Sequence, residues 1–84
     1  MQHYLILCRS LTYAQRAQRA VERAGGSGTV VKAPQEVTGG GCTYGVRVPA
    51  GKLDIAMAAI QRAGLPTGKT YIYETDGTLR EVRV

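Results

Sequence analysis

The sequence predicts one α+β domain, residues 1–84, in which strands and helices follow one another as βαββαβ. Its 84 residues suffice for one modest hydrophobic core. The spacing of apolar residues switches between the period of two typical of strands and the steps of three and four typical of helices. A short repeat indicates that a βαβ half is duplicated within this domain: VERAGG at 21–26 returns as IQRAGL at 60–65, which is 39 residues later.

The first strand is predicted at residues 3–9, and it is apolar on both faces, as a central strand should be. Ser10 follows it and can cap the first helix, because its hydroxyl can accept a hydrogen bond from an amide of the first turn. Gly25 or Gly26 can end that helix in the left-handed conformation. Residues spaced by three and four give the helix a stripe that we expect to be buried: Ala14, Ala17, Val21 and Ala24.

The second and third strands are each ended by a proline, which cannot continue a strand ladder. The second is predicted at residues 29–33, before Pro34, and the third at residues 43–48, before Pro49. Apolar side chains occupy every second position of the third strand: Tyr44, Val46 and Val48. This alternation predicts that one face of the third strand is buried.

The second helix is predicted to begin after Gly51, which is a weak N-cap. Asp54 then lies in the first turn, where a negative charge suits the positive end of the helix dipole. Gly64 and Pro66 end the helix. Its buried stripe is predicted from the same spacing, with Met57 as core filler: Leu53, Met57 and Ile60.

The fourth strand is predicted at residues 70–74 and a fifth at residues 79–84, joined by a turn around Asp76-Gly77. The compact arrangement of all these elements is a ferredoxin-like sandwich, with two helices on one face of an antiparallel sheet. The strand order expected for it is 4-1-3-2. The C-terminal hairpin adds an extra strand at one edge.

The composition is that of a globular protein, with 44% hydrophobic residues and a net charge of +5. No signal peptide or membrane-spanning segment is visible, so we expect a cytoplasmic protein without a membrane partner. Part of the positive charge forms a stripe on the first helix: Arg16, Arg19 and Arg23. This stripe is either a solvated helix face or a docking surface for an acidic protein or nucleic acid.

Several classes of site are excluded by residue type and spacing. GLPTGKT at 64–70 has three residues between its first glycine and GK, whereas a Walker A loop needs four. The two cysteines form no CxxC or Cys/His cluster, so neither a metal nor a cofactor is expected. Only Tyr44 could stack a base on the third strand, so nucleic acid is not an expected partner. His3 is predicted far from Cys42, which argues against a Cys–His pair.

The ferredoxin-like arrangement brings both cysteines to one edge of the sheet. Cys8 ends the first strand and Cys42 precedes the third, so we expect them beside the start of the first helix, Arg9 and Lys69. Orphan helix amides and nearby cations would favour a thiolate and lower its pKa below about 8.5. For Cys8, a packed role in the core and a role as a second thiol, including a transient disulfide, both stay open.

Three glycines lead into the second cysteine: Gly39, Gly40 and Gly41. Glycine permits successive backbone N–H groups to converge into an anion-binding nest, here with Thr43 on the far side of Cys42. The glycines also clear space for the approach of a partner's sulfur. Glu36 could polarise a group near the thiol. The alternative is a plain hairpin connection that holds an incidental cysteine.

Three segments together resemble a small bacterial family of Se/S carrier-like proteins that have a single loop cysteine: YLILCRSLTYAQRAQRAVERAG, APQEVTGGGCTYGVRV and LDIAMAAIQRAGLP. The resemblance extends from residue 3 to about residue 73. The positions that carry it are Arg9, Ser10, the Pro34-x-Glu36 stretch, Cys42 and Arg47. The chain departs from the family pattern at Thr43, where glycine is typical, and at Cys8, where a bulky apolar residue is usual.

The resemblance implies a carrier rather than a turnover enzyme. Cys42 would attack a donor persulfide, hold sulfur or selenium as a persulfide or perselenide, and yield it to an acceptor enzyme. The donor would be a protein of the cysteine desulfurase type. Arg9, Ser10, Glu36 and Arg47 would support the loop or the partner.

Sulfur and selenium stay open as the cargo, and so does a homodimer. The alternative from a different class is a non-catalytic interaction or regulatory module. Such a module would work through the basic face of the first helix rather than through Cys42.

Overall fold

A computed structural model of the chain describes residues 2–34 and 44–82. Within these ranges an antiparallel sheet carries two α-helices on one of its faces. The elements are β1 (His3–Cys8), α1 (Leu11–Arg23), β2 (Thr29–Lys32), β3 (Tyr44–Pro49), α2 (Leu53–Arg62), β4 (Thr70–Tyr73) and β5 (Leu79–Val82). Their order confirms the predicted α+β class, and each predicted boundary falls within two residues of the observed one where both are described.

The sheet order is β2-β3-β1-β4-β5, with every neighbouring pair antiparallel. This order confirms the ferredoxin-like arrangement, and β5 is the extra strand at the outer edge of β4. Strand β1 lies at the centre, between β3 and β4. Its position explains why its sequence is apolar on both faces, since both faces are buried.

The main core fills the space between the sheet and the two helices. Ile6 and Cys8 of β1 and Val46 and Val48 of β3 face the helices there. The helices contribute three alanines and three larger aliphatic side chains to this core: Ala14, Ala17, Val21, Leu53, Ala56 and Ile60. Met57 packs against this core as predicted.

One residue of the predicted stripe of α1 lies outside the core. Ala24 is exposed, because the helix ends at Arg23 and Ala24 is its C-cap. The 3.6-residue spacing therefore stops being informative at the last turn, where the chain leaves the helical path.

A second apolar cluster covers the other face of the sheet. Its buried members are Leu5, Leu7, Ala33 and Tyr71. Leu5 is fully buried, although no helix of the described residues packs on this face. The alternation along β1 therefore sends Leu5 and Leu7 to one face and Ile6 and Cys8 to the other.

The sequence repeat corresponds to a repeated helix ending. Gly25 has φ +86°, and the amide of Gly26 donates to the carbonyl of Val21 over 2.9 Å. Gly64 has φ +71°, and the amide of Leu65 donates to the carbonyl of Ile60 over 3.2 Å. Both helices thus end in a Schellman-type turn that needs a left-handed residue, which explains why glycine recurs at the same place in both halves.

The two helices begin differently. Ser10 caps α1, since the amide of Tyr13 donates to its hydroxyl oxygen over 3.3 Å, as predicted. The predicted cap of α2 at Gly51 is wrong. A 3₁₀ turn at Ala50–Lys52 leads into α2, and Lys52 takes the cap position without a side-chain hydrogen bond. Gly51 has no side-chain acceptor to hold the helix start at its own position, and Asp54 supplies the favourable charge in the first turn.

Replacing Gly45 by alanine should destabilise the protein. A Cβ at this position of β3 would lie 2.8 Å from the carbonyl oxygen of Ile6 and 2.8 Å from Leu5 Cδ1. Because backbone on the central strand cannot give way cheaply, we expect the free energy of unfolding to fall by about 1–3 kcal/mol. Urea denaturation measures this change. Gly51→Ala is the control, since no atom lies within 4 Å of the place its methyl group would take, and it should change stability by less than about 0.5 kcal/mol.

Ser10→Ala should also lower the free energy of unfolding, by about 1 kcal/mol, because it removes the cap acceptor for the Tyr13 amide. Ser10→Asp should retain most of the stability, because a carboxylate can accept the same hydrogen bond and suits the helix dipole. Urea denaturation of the three proteins tests this. Equal losses for the alanine and aspartate variants would show that the cap hydrogen bond does not stabilise the helix.

Candidate functional site at the end of strand β1

Four segments meet where β1 ends. Cys8, the last residue of β1, pairs with Tyr44, the first residue of β3. The amide of Leu7 donates to the carbonyl of Lys69 over 3.0 Å, and the amide of Gly68 donates to the carbonyl of Leu7 over 2.8 Å. The segment before β4 is therefore held against the end of β1, and α1 begins three residues after Cys8. The predicted proximity of Lys69 to this edge is confirmed.

A cavity of about 390 Å³ lies at this edge. Its lining comes from the end of β1 and from the connection between α2 and β4: Leu7, Cys8, Arg9, Pro66, Thr67 and Gly68. The sequence pattern of residues 64–70 predicts a helix stop and a turn, but it does not predict that Pro66–Gly68 line this cavity. The expected strand order could have indicated this, because it puts the start of β4 beside the end of β1.

Arg9 and Ser10 lie where the sequence predicted them. Arg9 is exposed and lines the cavity. Ser10 uses its hydroxyl to cap α1, so its role in the structure is to fix the start of that helix. The amides of the first turn of a helix carry a partial positive charge. The edge thus combines this partial charge with the full charge of Arg9, whereas the charge of Lys69 faces Glu81 at 3.5 Å.

Cys8 is packed into the core. Only 2% of the residue is exposed, and its side chain lies among residues of both helices. Its thiol has a weak contact with the carbonyl oxygen of Ile6 at 3.8 Å. Burial raises the pKa of the thiol from 9.0 to about 11. A thiol in this environment is a poor nucleophile at neutral pH, which disfavours Cys8 as a second reactive thiol.

The predicted loop site lies outside the described residues. All of its residues fall within residues 35–43, which are not described: Glu36, Gly39, Gly40, Gly41, Cys42 and Thr43. Their roles stay predictions. The described chain resumes at Tyr44, two residues after Cys42 in the sequence, and Tyr44 is the residue that pairs with Cys8.

Arg47 lies on the other face of the sheet from Cys8. It is exposed and pairs across strands with Leu5 and Thr29. Burial raises the pKa of the Tyr73 hydroxyl, and the nearby positive charge of Arg47 opposes this rise. Arg47 lies three residues after Tyr44 in β3, and its charge acts on the helix-free face, the face of the sheet opposite the helices. The structure does not bring it together with Arg9 and Cys8.

Two structural features are absent from the part of the chain that the structure describes. No group of three or more His, Cys, Asp and Glu side chains among residues 2–34 and 44–82 could hold a metal ion. No helix formed by these residues is both long enough and apolar enough to cross a membrane.

The buried environment of Cys8 predicts slow thiol chemistry in the Cys42→Ser variant. With a pKa of about 11, roughly one Cys8 thiol in a thousand is ionised at pH 8. Labelling with iodoacetamide at pH 8 should therefore be at least about a hundredfold slower than for a small free thiol, and should speed up as the pH rises toward 11. The same variant unfolded in guanidinium is the control and should react at the rate of an ordinary cysteine. A fast reaction of the folded variant at pH 8 would contradict the packed role of Cys8.

Comparison with known proteins gives one clear result. Residues 3–72 match the model of the family described as "Putative Se/S carrier protein-like". No curated protein and no solved structure shows significant similarity. The matched range contains β1, both helices and nearly all of β4, and it includes both cysteines. The chain therefore belongs to the Se/S carrier protein-like family.

Proposed function

We propose that this protein is a sulfur or selenium carrier and that Cys42 holds the transferred atom. The observation that carries the proposal is family membership over residues 3–72, a range that includes Cys42. The state of the other cysteine supports it. Cys8 is buried and its pKa is raised to about 11, so of the two cysteines in the chain Cys42 is the one left for thiol chemistry.

Loading is a transfer of a sulfane sulfur or selenium atom between thiols. The Cys42 thiolate attacks the terminal sulfur of a donor persulfide, R–S–SH, and the S–S bond of the donor breaks. The donor leaves as the thiolate R–S⁻, and Cys42 becomes Cys–S–SH. When selenium is carried, the thiolate attacks the terminal selenium of a donor perselenide, R–S–SeH, and Cys42 becomes Cys–S–SeH as R–S⁻ leaves. In unloading, a nucleophile of the acceptor attacks the terminal atom and Cys42 leaves as its thiolate. Neither step needs an external oxidant or reductant.

The residues around the thiol have supporting roles in this proposal. Gly39, Gly40, Gly41 and Thr43 would supply backbone amides and open access to the sulfur. Arg9 and the amides at the start of α1, which Ser10 fixes, would favour the thiolate over the thiol.

Two further residues of the family pattern are assigned less direct roles. Glu36 would polarise a group beside Cys42. Arg47 would contact the loop or a partner from the helix-free face, because its strand position places it on the opposite side of the sheet from Cys8.

The partners of such a carrier are proteins. We propose a donor of the cysteine desulfurase type and an acceptor enzyme that consumes the chalcogen. We place the exchange in the cytoplasm of a bacterium, where thiols are kept reduced. A homodimer would be compatible with the same chemistry.

Intact mass spectrometry tests the proposal. Incubation of the reduced protein with glutathione persulfide should add the mass of one sulfur atom, and a later incubation with dithiothreitol should remove it. Cys42→Ser should gain no sulfur, because Cys8 is buried. Cys8→Ala should load like the wild type and serves as the matched control, since it removes the other thiol and leaves Cys42 in place.

Three results separate the candidates. Loading of the wild type and of Cys8→Ala but not of Cys42→Ser would support the carrier. Loading that persists in Cys42→Ser would place the chemistry at Cys8 and overturn the assignment. A Cys42 thiol with no tendency to form a persulfide would leave the non-catalytic interaction module as the function.

A further inference from the structure

Four exposed arginines line a shallow groove between the two helices. Arg16, Arg19 and Arg23 come from α1, and Arg62 comes from α2. The stripe on α1 is visible in the sequence, but Arg62 joins it only because α1 and α2 pack against each other. Arg23 and Arg62 are equivalent positions of the internal repeat.

The floor of this groove is apolar and built from small side chains. It consists of Ala20, Ala24, Ala59, Ala63 and Leu65. Ala24 and Ala63 are exposed and Ala20 is half-buried. We call these residues and the four arginines the arginine groove. The arginine groove thus has an apolar floor bordered by cations, and the aliphatic stems of the arginines can extend the apolar surface of the floor.

None of the four arginines of the arginine groove forms an ion pair within the described residues. In residues 2–34 and 44–82 the ion pairs are Lys69–Glu81 and Arg80–Glu74. Both lie at or beside β4 and β5, away from the helices' outer surface. Four cations gathered on one face without a carboxylate partner there create a positive potential, which attracts acidic partners.

We propose that the arginine groove docks an acidic amphipathic helix of the protein that delivers the chalcogen to Cys42 or receives it. An acidic helix with an apolar stripe matches both parts of the groove, since its carboxylates meet the arginines and its apolar side chains meet the alanine floor. A nucleic-acid backbone would match the arginines alone and would leave the apolar floor unfilled. A second copy docked groove to groove would oppose like charges.

The location of the groove agrees with this role. Leu65 lines the arginine groove, and the next three residues, Pro66–Gly68, line the cavity at the end of β1. The two surfaces are therefore continuous through one short segment. A helix seated in the groove would hold its protein against the edge where β1 ends and where the described chain resumes after Cys42. The inference in this form rests on the proposed carrier function.

Binding of a synthetic peptide tests the inference. The probe is a fluorescein-labelled helical peptide with glutamates on one face and leucine and alanine on the other, and its control has glutamine in place of glutamate. Fluorescence anisotropy should show binding of the acidic peptide at least about tenfold tighter than of the control, and weaker binding at higher salt.

Two charge-matched variants locate the binding. Arg19→Gln with Arg62→Gln removes two charges from the groove and should weaken acidic-peptide binding about tenfold. Lys52→Gln with Arg80→Gln removes two charges elsewhere and should change it by less than about twofold. Both variants lower the net charge from +5 to +3, since each loses two cations, so a difference between them cannot come from net charge.

The outcomes are distinguishable from those of the carrier function. Both variants should take up sulfur from glutathione persulfide like the wild type, because this small donor does not need the groove. Normal loading without selective binding of the acidic peptide would overturn the docking inference alone. Equal losses in the two variants, or tighter groove-dependent binding of a short RNA duplex than of the peptide, would overturn it as well. Peptide binding without any loading of Cys42 would overturn the carrier function and the link between the two surfaces.

Discussion

The structure depends on strand β1 being buried on both faces. It is paired on both sides, with β3 and with β4. Ile6 and Cys8 project into the core under the helices, while Leu5 and Leu7 project into the cluster on the other face. A shift of one residue in register would exchange these two sets, which differ in the volume they fill. The register is therefore fixed, and with it the direction in which each side chain of β1 points.

This constraint separates the two cysteines. Cys8 is the last residue of β1, and its side chain points toward the helices. The register of the strand therefore buries its thiol. The raised pKa follows from that enclosure, because the thiolate loses the solvation by water that it would have in the unfolded chain. The environment changes just beyond the end of β1, where Arg9 is exposed. Arg9, the start of α1 and the Pro66–Gly68 segment meet there.

The internal repeat places two equivalent arginines, Arg23 and Arg62, in the same groove, which the sequence alone does not indicate. Each copy ends its helix with arginine, alanine and a left-handed glycine. The glycine ends the helix, and the small alanine side chain forms part of the groove floor. The arginine is carried to the outside, where the two copies meet across one groove. A pattern that first indicates helix endings therefore also produces a paired cationic surface, because the two helices pack side by side on the same face of the sheet.

The sequence alone determined the order of the elements, the cap at Ser10 and the two helix stops, because local hydrogen bonding and hydrophobic periodicity are encoded over a few residues. The sheet order was predictable only through the fold class that this order of elements indicates. The sequence also indicated the family. It did not determine that Ala24 lies outside the core, that a 3₁₀ turn replaces the cap at Gly51, or that Pro66–Gly68 share a cavity with Arg9. Nor did it join Arg62 to the stripe on α1. Those features were decided by the tertiary structure, since each depends on which residues distant in sequence are brought together when the helices pack on the sheet.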